Sequence, residues 1–310
     1  MSKKVLFVTS VDLSGTAGSS VATLSFVRGL LDLNGVEVQV LAPAPSNLDF
    51  LPSDVLNVLA DTFPCRQKGS ILWHINYSLF VKKFIKSVIK KESVDVVVVR
   101  VGPFFFPAVA AIEKADIELV SMVRGSTYAG TNNNIQRYLG WLIRYSRAGI
   151  LRRSTRVLVA FANALSLKEY KALGNKVEVG ANAADLSVMK VVTQHKAREW
   201  LLKEKGIALS GKTIAFAGSL RDRHRLPELI LGLRELKQRG YLVDLLLIGT
   251  GPLFQRIKKM SEDLGLVDSI KIIGAVPHID VSMYLCAADI VYGPVDPSSP
   301  SNPIKVYECL

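Results

Sequence analysis

The sequence carries only three cysteines, Cys65, Cys286 and Cys309. An odd number without metal spacing provides neither a disulfide framework nor a zinc cluster, and it points to a reducing, cytoplasmic setting. Long hydrophobic runs are missing too. No stretch reaches the roughly 18 uninterrupted apolar residues of a membrane span, and in the opening MSKKVLFVTSVD the apolar run is cut by Asp12 before it could act as a signal-peptide core. There is no glycine fingerprint of the GxGxxG type with an acid about 20 residues on, which leaves a dinucleotide oxidoreductase as the most distant alternative. Zinc-finger spacing, RNP-type aromatic strands and helix-turn-helix punctuation are absent, so nucleic acid is not an expected partner. Short repeats and low-complexity segments are lacking, which excludes a solenoid.

What is present is an ordinary globular composition, 49% hydrophobic and 21% charged, over 310 residues. That is enough chain for about two domains with real cores. The formal net charge of +12 is unevenly spread. Residues 1–190 hold 23 Lys/Arg against 14 Asp/Glu, whereas 191–310 hold 16 against 13. Leu119 to Lys168 contains eight basic residues and no acid. Such asymmetry suits an anionic partner: a phosphorylated substrate or an anionic bilayer.

Short β-branched runs alternate with helical patterns. KVLFVTS (4–10), VEVQVLA (36–42), VDVVVVRV (94–101), ELVSMV (118–123), RVLVAF (156–161) and KVEVG (176–180) have the near-continuous apolar character of strands buried on both faces. Helical stretches such as Ser19 to Leu33 and Trp73 to Lys91 lie between them. After the polar passage ANAADLSVMKVVTQ (181–194) and an amphipathic helix near Lys196 to Lys205, the alternation restarts with TIAFAGS (213–219), LVDLLLIG (242–249), SIKIIG (269–274) and DIVYG (289–293). The expectation is an α/β protein with two Rossmann-like, doubly wound parallel sheets, an N-terminal domain over 1–190 and a C-terminal domain over 191–310.

In open parallel sheets, ligands bind beyond the carboxyl ends of the strands, where helix N-termini favour anions. Four such turns are equipped for this. In SGTAGSS (14–20), Gly15, Gly18 and Ser19 allow close approach to a phosphate or sugar, although a plain turn fits equally. GSLRDRHR (218–225) sets Gly218, Ser219, Arg221, His224 and Arg225 at a strand end, a cluster suited to a diphosphate; a solvated loop paired with Asp222 and Glu228 is the other reading. GTGP (249–252) offers Gly249 and Gly251 for a tight turn, which could be structural only. In DPSSPSNPIKVYECL (296–310), Ser301 or Asn302 is a natural N-cap before Pro303. Lys305 and Glu308 then share one helical face, either as a surface ion pair or as a cation for phosphate and a carboxylate for sugar hydroxyls.

In order and spacing, AFAGSLRDRH, LLLIGTGPLFQRI, IKIIGAVPHIDVSMYLCAADIVYGP and NPIKVYE resemble the donor domain of GT-B glycosyltransferases, family 4 in particular. KVLFVTS, NGVEVQVLAP and NKVEVGANAADL are similar, more loosely, to the acceptor domain of the same family. The resemblance implies two domains facing a cleft. It implies transfer of a hexose or N-acetylhexosamine from a nucleotide diphosphate sugar, with retention, no cofactor and no metal, to a glycan or lipid-linked acceptor. Arg221 or Arg225 with Lys305 would hold phosphate, Glu308 the ribose, and Gly15 to Ser19 would line the cleft. Ser219 stands where members commonly have arginine, His224-Arg225 where lysine-glycine is usual, and Pro300 where the first acid of a glutamate pair falls. The helix bearing the glutamate ordinarily continues, so the donor domain reads as curtailed. A non-catalytic pseudo-transferase or partner subunit, and a nucleotide-sugar epimerase of the same fold, are the rival readings.

In RYLGWLIRYSRAGILRR (137–153), Arg137, Arg144 and Arg147 lie on one side of a helical wheel with Trp141, Tyr138 and Tyr145 beside them. This is the layout of a helix resting on an anionic membrane surface, and a core-packed helix with a basic outer face fits the same wheel. VKKFIKSVIKK (81–91) adds a second basic face. The expected location is cytoplasmic, with peripheral contact at the inner face of the cytoplasmic membrane.

Overall fold

The computed structural model describes residues 2–15, 18–64, 70–91, 94–102, 105–110, 112, 117–124, 134–160, 167–180, 184–185 and 188–294, the side chains of 134–139 excepted. The chain forms two compact units, one built mainly from Met1–Gly15 and Ala22–Ala181, the other mainly from Asn182–Ser299.

In the first unit the elements run β1 (Lys3–Val8), α1 (Gly18–Leu31), β2 (Val36–Pro43), α2 (Ser53–Leu56), β3 (Leu59–Phe63), α3 (Ile71–Lys90), β4 (Val96–Arg100), α4 (Phe106–Val109), β5 (Glu118–Val123), α5 (Asn134–Arg153), β6 (Arg156–Val159), α6 (Lys168–Lys171) and β7 (Val177–Val179). The sheet is seven-stranded, in the order β3-β2-β1-β4-β5-β6-β7, and every pairing is parallel. The period of two along each strand sorts its side chains between two layers. Leu6, Val8, Val97 and Val99 pack under α3, α4 and Ile150 of α5, while Val5, Phe7 and Val98 pack under Leu24 and Val27 of α1 and Val55 of α2. Tyr77 of α3 is fully buried, stacked on Trp73 at 5.0 Å, and its hydroxyl donates to the carbonyl of Thr9 just past β1.

The second unit runs α7 (Gln194–Lys205), β8 (Lys212–Ala217), α8 (Leu226–Gln238), β9 (Val243–Ile248), α9 (Phe254–Asp263), β10 (Ile270–Gly274), α10 (His278–Cys286) and β11 (Ile290–Val291). Its four parallel strands are ordered β10-β9-β8-β11. Phe216, Leu245 and Leu247 face α8 and α9. Ala215, Leu246 and Ile248 face α7 and α10, where Met189 and Ala184 also pack. The ends of α7 are specified locally: Thr193 Oγ1 accepts from the Lys196 amide at 3.4 Å, and Gly206 closes the helix in the left-handed conformation at φ 66°.

At the amino-terminal edge of this sheet one ion cluster ties three elements. Arg198 of α7 and Lys212 of β8 donate to Asp289 at 2.9 and 2.8 Å, and the Thr213 amide donates to the same carboxylate at 2.8 Å. The hydrogen bond from Lys212, then that from Thr213, hold the Asp289 carboxyl down at about 2.

Candidate functional site

At the opposite, carboxyl edge of the second sheet, two strand-end loops are locked backbone to backbone. The Gly218 amide donates to the Ile248 carbonyl at 2.9 Å, the Leu220 amide to Thr250 at 2.9 Å, and the Leu253 amide returns to Leu220 at 3.1 Å. That approach leaves no room for side chains at the glycines. Gly249, at φ +124°, would drive a Cβ into the Gly218 carbonyl, and a Cβ at Gly251 would meet the backbone of Leu220. Gly218 is itself at φ +144°. The glycines of GTGP are therefore required by loop-on-loop packing.

The lock presents a basic turn. Arg221 is exposed, and its Nε donates to Ser219 Oγ at 3.1 Å. Asp222–His224 form a single 3-10 turn that carries the chain to α8. His224 is buried, with its ring 5.3 Å from that of Phe216, and its Nε2 accepts from Arg223 at 3.3 Å. Arg225 sits at φ 47°, ψ 39°, as the residue before the first turn of α8. Among the described residues it is the one non-glycine at positive φ. Such a conformation costs a non-glycine residue about 1–3 kcal/mol, and strain of this kind clusters at functional positions. The side chain of Arg225 makes no capping hydrogen bond to the amides of α8, and Pro227 lies in its first turn. Arg225 and the amide end of a 13-residue helix thus meet at the carboxyl edge of the sheet, where an anion is favoured.

A residue that the sequence reading did not single out completes the corner. Tyr292 follows β11, and burial raises its pKa, with Glu228 adding to the rise and Arg225 opposing it. Phenol, carboxylate and guanidinium are therefore electrostatic neighbours. The only sequence signal was an aromatic residue at the end of the last strand.

In the first unit, the loop after β1 is organised by Asp12, whose buried carboxylate accepts from the amide and hydroxyl of Ser14 at 3.0 and 2.7 Å. The Gly15 amide reaches the Asp12 carbonyl at 3.3 Å. Gly18 begins α1 with open space around its Cα, and Ser19 is exposed in the first turn. This loop adjoins the point where the strand order reverses between β1 and β4. Nearby, at the carboxyl ends of β4 and β5, Arg100 and Arg124 form a second basic feature that sequence reading passed over. Burial, and then the charge of Arg124, lower Arg100 to about 10.

The structure thus brings Gly218, Ser219, Arg221, His224, Arg225, Gly249 and Gly251 into one corner of the second unit. Gly15 lies in the loop after β1, and Gly18 and Ser19 lie in the first turn of α1. Ser301, Asn302, Lys305 and Glu308 lie outside the described residues.

Residues 198–296, from α7 to just past β11, match the family model described as glycosyl transferases group 1. None of the curated protein sequences compared with the chain matches it. Solved structures match over nearly all of it. A glycosyltransferase from Rickettsia africae ESF-5 is similar at 17% identity and TM-score 0.65, covering 94% of this chain and 72% of that one. The fold is GT-B. The Anabaena protein HepE in complex with UDP-glucose is similar at 16% identity and TM-score 0.64, covering 93% and 72%. The UDP-GlcNAc 2-epimerase from Methanocaldococcus jannaschii is similar at 15% identity and TM-score 0.58, covering 94% and 78%. The GT-B fold is thus shared with transferases and epimerases of nucleotide sugars, and chemistry must be read from the sites.

Proposed function

We propose that the protein is a retaining glycosyltransferase that moves a hexose or N-acetylhexosamine from a nucleotide diphosphate sugar to a glycan or lipid-linked acceptor. The observation that carries this reading is the position of Arg225. Arg225, its backbone held in the left-handed region immediately before α8, lies within the segment that matches glycosyl transferases group 1.

Cleavage of the donor's glycosidic bond builds negative charge on the departing diphosphate, and fixed cations and helix amides aimed at that charge lower the barrier. Arg225 and the α8 amides take that role, with Arg221 beside them and Lys305 as a further phosphate ligand. Glu308 accepts hydrogen bonds from the nucleotide ribose. The buried His224, with Nε2 occupied by Arg223, positions the turn from beneath.

The test is nucleotide release, followed with UDP-, GDP- and ADP-sugars, together with NMR of the sugar product. One donor should give nucleotide release that depends on acceptor, and Arg225→Ala should lower kcat/KM by about 10²-fold or more. Interconversion of the donor's sugar without acceptor would establish the epimerase instead. Failure of every nucleotide to shift the melting curve would remove donor binding by Lys305 and Glu308 and favour the non-catalytic reading. Full turnover by Glu308→Ala would remove that residue's assignment.

A further inference from the structure

The two longest helices of the first unit, α3 and α5, pack on the same side of its sheet, with α4 between them. Each has 20 residues. Together they contain nine lysines and arginines and no aspartate or glutamate. The inner face of α3 is accounted for by Trp73, Tyr77, Val81, Ile85 and Val88, all in the core. Its outer face is not polar throughout, as a solvated helix would be. Ile71, Leu72, Ile75 and Leu79 stand on it between 41% and 64% exposed, and the same ridge continues, at helical spacing, into exposed Lys83, Lys86 and Lys90. On α5, Trp141 and Tyr145 are also more than half exposed, stacked at 5.8 Å, with exposed Arg144 between them in sequence.

Arg147, which the helical wheel placed among the outward cations, is committed elsewhere. Its guanidinium pairs with Glu169 at 3.1 Å and donates to Tyr170, and its side chain is only 12% exposed. The side chain of Arg137 lies outside the described residues.

We propose that the outer face of α3, together with Trp141, Arg144 and Tyr145 of α5, rests on an anionic lipid surface. The aliphatic half of α3 enters the acyl boundary, the stacked aromatics sit at headgroup depth, and Lys83, Lys86, Lys90 and Arg144 meet the phosphates. Charge decides the occupant. A pairing of two copies through this face would bring together basic helices that carry no acid to offset them, at a repulsive cost. A nucleic acid would leave the aliphatic ridge in water. No described helix is long and apolar enough to cross a bilayer, so the contact is one of lying on the surface. This inference stands apart from the sugar-transfer reading and survives its failure.

Co-sedimentation of the full chain with vesicles of phosphatidylcholine alone, or with about one third phosphatidylglycerol, tests it. The protein should pellet with the anionic vesicles, release as salt is raised, and show a blue shift of indole emission that Trp141→Phe removes. Each lysine replaced by alanine should lower partitioning about fivefold, and Ile75→Glu with Leu79→Glu should lower it more than tenfold. These side chains are exposed, so an unchanged melting curve confirms that the variants fold. Absence of pelleting, equal pelleting with neutral vesicles, or undiminished binding by the variants overturns the proposal. So does light scattering that shows a dimer dissociated by Ile75→Glu.

Discussion

Single positions in the second unit carry opposite expectations from the same amino acid. Gly249→Ala forces a Cβ into a backbone carbonyl at a φ that L-residues avoid, and should cost more than about 3 kcal/mol in urea denaturation. Gly232→Ala, on the exposed face of α8 with nothing within contact distance, should add about 1 kcal/mol by the same measurement. Arg225→Gly separates strain from chemistry. It should stabilise the fold by about 1 kcal/mol while depressing turnover, because glycine occupies the left-handed region without penalty. The glycines and Arg225 were visible in the sequence as a strand-end cluster, but its internal arrangement was not. Whether Gly249 served a ligand or a neighbouring loop depends on a contact between residues 31 positions apart, which spacing does not encode. Tyr292 and Arg100 escaped notice for a related reason: each matters through a neighbour that only the folded sheet supplies.

Among elements, the strands buried on both faces were legible because continuous valine and isoleucine runs have few alternatives in a soluble protein. β3 was not. Its LADTF is a short edge strand with Ala60, Asp61 and Thr62 exposed, joined to β2 with a register shift, so neither a buried run nor clean alternation marks it. The tie between α7, β8 and β11 through Asp289 gives an element-scale prediction. The folded state holds this carboxyl at about 2, below its ordinary 3.8. The network therefore contributes fully above the ordinary value and loses its contribution as pH falls from there toward about 2. Asp289→Asn should flatten that part of the acid-unfolding profile while leaving the pH 5–8 plateau lower but parallel. Circular dichroism across a pH series checks it.

At the scale of the whole molecule, among the described residues the cores of the first unit share no member with those of the second. Calorimetry should resolve two transitions. A bound nucleotide sugar should raise one of them by an amount equivalent to about 2.7 kcal/mol at a hundredfold excess over Kd, and it should be the transition that Gly249→Ala lowers. The doubly wound architecture and the split into two sheets followed from alternation alone. The excess positive charge of residues 1–190 was also plain, but its disposition was not, since composition cannot distinguish Arg144, facing out, from Arg147, bound to Glu169 and Tyr170.

The main-chain lock between the loops after β8 and β9 has an evolutionary corollary. Because peptide groups hold the shape of these loops, the side chains at Ser219, Arg221, Arg223 and Thr250 can be exchanged without redrawing the corner they occupy. Saturation libraries at these four positions should return a high fraction of folded proteins, which makes them the place to vary what this corner binds.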